Sequence, residues 1–149
     1  MLVRIEGSNL PGRECGQACG PGYRNIHVAV QRRDRPTELL GLHQGDAVSA
    51  QWDLEVTATP VEDGWDLRGP YVQGRPGGRF IYLSWGTIDD QEAFTMFRRA
   101  KLWFDGIAPE VLAQAVNGGL LVGRLGLTDT HGNPLCAAVR PPLIEWSTS

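Results

Sequence analysis

Between Ala50 and Ala58 the chain alternates without a fault: Ala50, Trp52, Leu54, Val56 and Ala58 are apolar, and Gln51, Asp53, Glu55 and Thr57 between them are polar. A period of two places one set on each side of an extended strand, so this stretch packs a core on one face only. Pro60-Val61-Glu62-Asp63-Gly64 then supplies a turn, with Asp-Gly placed to reverse the chain. Trp65 and Leu67 resume the inward side, while Asp66 and Arg68 alternate outward. An antiparallel hairpin therefore lies near the middle of the chain, and the other elements must build onto it.

Strand patterns recur on both sides. Leu2–Gly7 alternates with Val3 and Ile5 on one face, and Asn25–Arg32 with Ile26, Val28 and Val30. Arg79–Trp85 (RFIYLSW) is apolar on both faces, as a central strand or one roofed by a helix requires. Ser8–Gly22 is a glycine-rich loop, and Arg33–Ser49 is polar and broken by Pro36, Gly41 and Gly45, with only a short turn of helix expected. After Asp89, with Glu92 at capping-box spacing, Ala93, Met96, Phe97, Ala100, Trp103 and Phe104 recur at helical intervals. Gly106 ends this expected helix, and Pro109 begins a second that Asn117-Gly118-Gly119 stops. Leu120–Leu127 and Leu135–Arg140 read as a closing hairpin, followed by Leu143–Trp146 beyond Pro141 and Pro142.

With 19 glycines and 10 prolines, turns and short strands dominate over long helices. The expected class is α+β: a mainly antiparallel sheet, twisted or closed into a partly open barrel, of about six to eight strands with a two-helix excursion near residues 89–117. One globular domain spans residues 1–149 on this reading. No apolar run reaches the ~18 residues that cross a bilayer, and no signal-peptide core opens the chain. A cytoplasmic location with no membrane partner is the expectation.

The net charge of −3 argues against broad nucleic-acid binding, so no nucleic-acid partner is expected. Charge is nevertheless uneven, because Arg68, Arg75, Arg79, Arg98, Arg99 and Lys101 fall in one stretch. The three cysteines make no disulfide framework, and Cys15 and Cys19 lack two further ligands at zinc spacing. No metal and no cofactor is expected.

Gly69–Arg79 is the leading candidate site. Its glycines free the backbone, Arg75 and Arg79 present forked donors to a carboxylate or phosphate, and Tyr71 and Gln73 orient a polar ligand. Tyr82 and Trp85, together with the helix start, form the wall of this site. The glycine spacing matches neither a Walker loop nor a dinucleotide fingerprint. The competing reading is a surface hairpin whose glycines serve only its turn. Trp52, Trp65 and Trp103 are assigned to core faces. Asp89 and Asp90, adjacent at a helix start, cap that helix rather than converge on one point.

Six stretches together carry a resemblance: VQRR (Val30–Arg33), GPYVQG (Gly69–Gly74), RFIYLSWG (Arg79–Gly86), FTMFRRAKL (Phe94–Leu102), GRLGLTD (Gly123–Asp129) and GNPLCAAVRPP (Gly132–Pro142). The chain resembles a family of small, single-domain actinobacterial proteins classed as a domain of unknown function. That resemblance implies a bacterial cytoplasmic protein and supplies no activity, cofactor or catalytic residue.

The functional expectation is a non-catalytic or accessory binding protein for a small polar or anionic molecule at Gly69–Arg79. One alternative is a small β-rich enzyme of specialised metabolism that uses acid-base chemistry, or guides a cyclisation, with His27 or Tyr82 moving the proton. The other is a protein-interaction module that presents Arg98, Arg99 and Lys101 on a basic helix face to an acidic partner. A homodimer through a strand edge is a further partner class.

Overall fold

A computed structural model of the chain describes residues 1–8, 14–16, 23–24, 26–34, 39–44, 49–88, 94–126 and 144–149. Its elements in chain order are β1 (Leu2–Ser8), β2 (Glu14–Gly16), β3 (Tyr23–Arg24), β4 (Ile26–Gln31), β5 (Leu39–Gln44), β6 (Ser49–Glu55) and β7 (Thr57–Val61), followed by β8 (Gly64–Arg68), β9 (Gln73–Arg75), β10 (Gly78–Ile88), β11 (Phe94–Trp103), α1 (Pro109–Gly118), β12 (Leu120–Gly126) and β13 (Glu145–Ser147). Four strands form a sheet in the order β13-β12-β1-β6. Five form a second sheet, β11-β10-β4-β5 with β9 also against β10, and β7-β8 is a separate hairpin. Among the described residues the protein is thus mainly β, with eleven strands in three sheets, one helix, and a short β2-β3 ladder besides.

The middle hairpin forms where the alternation places it, with Thr57 opposite Arg68 and Val61 opposite Gly64. The alternating run itself is divided. Its first part, β6, pairs antiparallel with β1, and only the part beyond Val56 enters the hairpin. β10 is an interior strand, as its two-sided apolar character requires. The first sheet is mixed rather than antiparallel, because β1 and β12 run parallel, Val3 beside Leu121 and Ile5 beside Gly123. Helix α1 precedes β12; Pro109 starts it, and Gly119 ends it at φ 79°, donating its N–H to the Ala115 carbonyl.

Both larger sheets feed one buried cluster. Val3, Ile5, Trp52 and Leu54 enter it from the first, and Val28, Ile81, Leu83 and Trp85 from the second. Trp52 and Trp85 are the largest fully buried side chains. Trp146 closes one end, its ring 5.3 Å from that of Phe104. Gly123 makes room for it, since a Cβ there would lie 2.8 Å from the Trp146 ring.

Two expectations are corrected. Leu39–Gln44, read as turn and short helix, is strand β5. Phe94–Trp103, read as the first of two helices, is strand β11, antiparallel to β10 from Phe80↔Trp103 to Ile88↔Phe94. The register shifts at Trp85/Gly86, which pair with Arg98 and Met96 and leave Phe97 as an extra residue. A bulge of this kind breaks the period of two, and the broken alternation imitates a helical one. The expected helix start at Asp89 and Glu92, Leu135–Arg140, Cys19 and Cys136 lie outside the described residues.

The Phe104 N–H donates to the Arg79 carbonyl at 3.0 Å. In an antiparallel ladder, hydrogen-bonded pairs alternate with non-bonded ones. Leu102 and Ala100, opposite Ile81 and Leu83, therefore bond inward to β10, whereas Arg99, Lys101 and Trp103 turn their backbone groups to the far edge. This predicts an alternating pattern of amide hydrogen exchange by NMR: Ala100, Leu102 and Phe104 slow, Arg99, Lys101 and Trp103 fast. Uniform protection of residues 99–103 in the isolated chain would contradict a strand with an open outer edge.

Candidate functional site: the outer face of the five-stranded sheet

Strand alternation divides the expected site between two sides of one sheet. Ile81, Leu83 and Trp85 point into the core and are fully buried. Phe80, Tyr82 and Ser84 point to the opposite, outer side, directly beside Trp103, Lys101 and Arg99 of β11. Gln73 and Arg75 of β9 stand opposite Phe80 and Gly78, so they belong with the outer set. Arg79 belongs to the inner set. The Gly74–Gly77 turn between them demands glycine: Gly74 has φ 85°, and a Cβ there would strike the Gly78 carbonyl oxygen.

Arg79 is not a free ligand-binding cation. Its Nε and Nη2 donate to the two carboxylate oxygens of Asp66 at 3.0 and 3.2 Å, and its Nη1 donates to the Gly74 carbonyl. Arg68 adds a 2.6 Å contact to the same carboxylate. Alternation does turn Asp66 away from Leu67, but these two arginines cover that side and leave Asp66 only 4% exposed. The cluster fastens the β7-β8 hairpin to the β9-β10 turn. A cleft of about 90 Å³ lies beside it, lined by Asp66, Gly77, Arg79 and Asp105 among others. That volume holds roughly three waters.

Trp85 is likewise removed from any pocket wall: it is fully buried, and its indole N–H meets no hydrogen-bond partner among the described residues. Tyr71 packs half-buried against the core cluster. Trp103, assigned to a core face by the helical reading, sits instead on the outer side.

The outer side carries a different constellation. Phe80 meets Tyr82 edge-on at 4.9 Å and the Trp103 ring at the same distance. The Arg99 guanidinium lies 4.3 Å from the Tyr82 ring centre, and the Lys101 ammonium 4.7 Å from Phe80 and 5.3 Å from Trp103. Arg99 also donates to the Gln31 amide oxygen at 3.3 Å. Other arginines have acidic partners: Arg4 with Asp53, Arg32 with Asp34, Arg79 with Asp66 and Arg124 with Glu6. Arg99 and Lys101 rest on aromatic rings instead, with no carboxylate in ion-pair contact among the described residues. The helical reading groups both with Arg98 on a basic helix face; the strand instead sets Arg99 and Lys101 on the outer side, opposite Ser84 and Tyr82.

His27 stands opposite Gly86 on the same outer side. Among the described residues no group of three or more His, Cys, Asp or Glu converges as a metal site, and no helix is long and apolar enough to cross a membrane.

Fold and surface together define a mainly β protein that buries one face of its larger sheet and holds an aromatic-cationic ladder on the other. The chain matches a family of unknown function, DUF5990, over residues 1–149, and belongs to it. No curated protein and no solved structure matches the chain.

The Asp66 cluster yields a pH dependence. The hydrogen bond from Arg79 lowers the Asp66 pKa from its ordinary 3.8; burial opposes this, and Arg68 assists. The folded pKa lies below the unfolded one, so the stabilisation is complete above about pH 4 and is lost as pH falls through the folded value. Arg79→Ala leaves a buried carboxylate with only Arg68, and is expected to cost about 3 kcal/mol in urea unfolding at pH 7. That loss should shrink as pH falls below about 4 and vanish below the folded value.

Proposed function

We propose that the chain is a bacterial binding protein for a polar, anionic ligand, held on the outer side of the five-stranded sheet. The observation that supports this most is the pairing of Arg99 and Lys101 with rings rather than carboxylates. A cation already neutralised by an acid has little to offer an incoming anion; one resting on a ring keeps its full charge. Stacking contributes only about 0.5–1 kcal/mol at an exposed site, so the head group can turn toward an anion at small cost. Two strand residues on one face stand about 6.8 Å apart along the strand, a span that suits one extended anion or two acidic groups. Gln31, Gln73 and Arg75 add donors at the same surface, and Tyr82 supplies a ring flank. The binding role of Arg79 and Trp85 gives way on this reading to Arg99 and Lys101.

Inorganic pyrophosphate is a suitable first probe, followed by calorimetry in low salt. Saturable binding is expected, weakening about tenfold in the Arg99→Ala/Lys101→Ala variant and again at 0.5 M salt, where charge screening shortens to a few Å. Equal affinity in variant and wild type would remove this surface from consideration.

A further inference from the structure

The two ring-held cations coincide with a second feature of β11. It is the terminal strand of its sheet in the described residues, ten residues long, with β10 on one side only. The bonding phase fixed by the Phe104–Arg79 contact turns the N–H and C=O groups of Arg99, Lys101 and Trp103 to the edge that no strand pairs among the described residues. These same three residues send their side chains to the outer side. Backbone pairing groups and unpaired positive charge are thus offered in register, at every second residue.

We propose that this edge accepts an extended acidic segment of a partner protein, which adds to the sheet as a further antiparallel strand. In such an addition, main-chain hydrogen bonds supply affinity and alternate side chains supply specificity. An antiparallel strand bonded to Trp103, Lys101 and Arg99 sets its own alternate residues directly opposite them, about 5.5 Å away between Cα atoms. The matching segment, read from its N-terminus, is therefore apolar-x-acid-x-acid: an apolar residue against Trp103, then carboxylates against Lys101 and Arg99. Opposite charges facing each other across a pair stabilise it, and like charges destabilise it. A second copy of β11 fits this edge poorly, because it would bring arginine and lysine near arginine and lysine. Charge at an edge also deters indiscriminate pairing, which restricts this one to acidic strands.

The proposal rests on the anion-binding reading of the same surface, and one titration separates the two. The full chain, ¹⁵N-labelled, is titrated with the capped peptide Thr-Val-Thr-Glu-Thr-Glu-Thr and, separately, with pyrophosphate. At peptide saturation the exchange of the Arg99, Lys101 and Trp103 amides is expected to slow at least tenfold, while Ala100 and Leu102 remain as protected as before. Arg99→Glu/Lys101→Glu should weaken the peptide at least tenfold, and a lysine-for-glutamate peptide should recover binding to that variant. Unchanged protection of Ala100 and Leu102 in the variant confirms that the strand is intact. The proposal fails if the peptide binds without slowing the outward amides, or if charge reversal leaves its affinity unchanged. It also fails if pyrophosphate binds and the peptide does not, in which case the anion-binding reading survives alone. Tighter binding of an oligothymidylate than of the peptide would overturn it in favour of single-stranded nucleic acid. Binding of neither probe overturns both readings.

Discussion

The ladder between β10 and β11 is the constraint on which the rest of this structure depends. It runs from Phe80 to Ile88 on one strand and from Phe94 to Trp103 on the other. Because the pairing is antiparallel and keeps one register from Phe80 to Trp85, it decides which side chains enter the core and which remain outside. Ile81 and Leu83 lie beside Leu102 and Ala100 on the core side, and Phe80 and Tyr82 lie beside Trp103 and Lys101 on the other. A slip of one residue would exchange the two sets, placing a lysine and an arginine against Trp52 and Val28. The burial of Leu102, Ile81 and Leu83 opposes that slip, so hydrophobic burial on one side fixes the electrostatics of the other.

The sequence was most legible where its period was uninterrupted. The faultless alternation from Ala50 to Ala58 located β6 and β7, and Asp63-Gly64 located the reversal from β7 into β8. It did not show that the run changes sheets at Val56, because a corner between two strands leaves the apolar-polar pattern intact. Val3 and Ile5 located β1, but nothing in their alternation says whether the neighbour is parallel. The parallel β1-β12 pairing joins residues 2–8 to residues 120–126, a long-range fact. The failure at β11 has a local cause. The extra residue at Phe97 shifts the phase, and alternation on either side of it then resembles a helix. Thr95 and the aromatic residues nearby favour extended structure, but that preference is weak beside an apparent period.

The candidate site shows the same division. The stretch that holds it was evident from composition, with six cations and several aromatics close together. What composition could not show was which cations were already engaged. Arg79 and Arg99 are chemically identical, and only the fold reveals that the first is bound to a buried carboxylate 13 residues earlier while the second lies on a ring. Tyr82, Gln73 and Arg75 lie together on the outer side of the sheet. Trp85 does not, because an aromatic at an odd position of β10 faces the core whatever its neighbours.

The contrast between Arg79 and Arg99 also bears on why this surface is read as a binding site and not as a stabilising one. A buried ion pair has low tolerance for change: with one partner removed, the other is left without solvent or counter-charge. The Asp66 cluster is of that kind, and it fixes the geometry of the Gly74–Gly77 turn. Arg99, exposed on its ring, contributes little to stability where it stands, since exposed stacking is weak, and the half-buried Lys101 packs chiefly through its aliphatic stem. Aromatic rings hold these cations without neutralising them, so the geometry limits their freedom while their charge stays available. A surface serving only solubility would gain more from interspersed charges of both signs, the arrangement found at Arg4–Asp53 and Arg124–Glu6 on the other sheet.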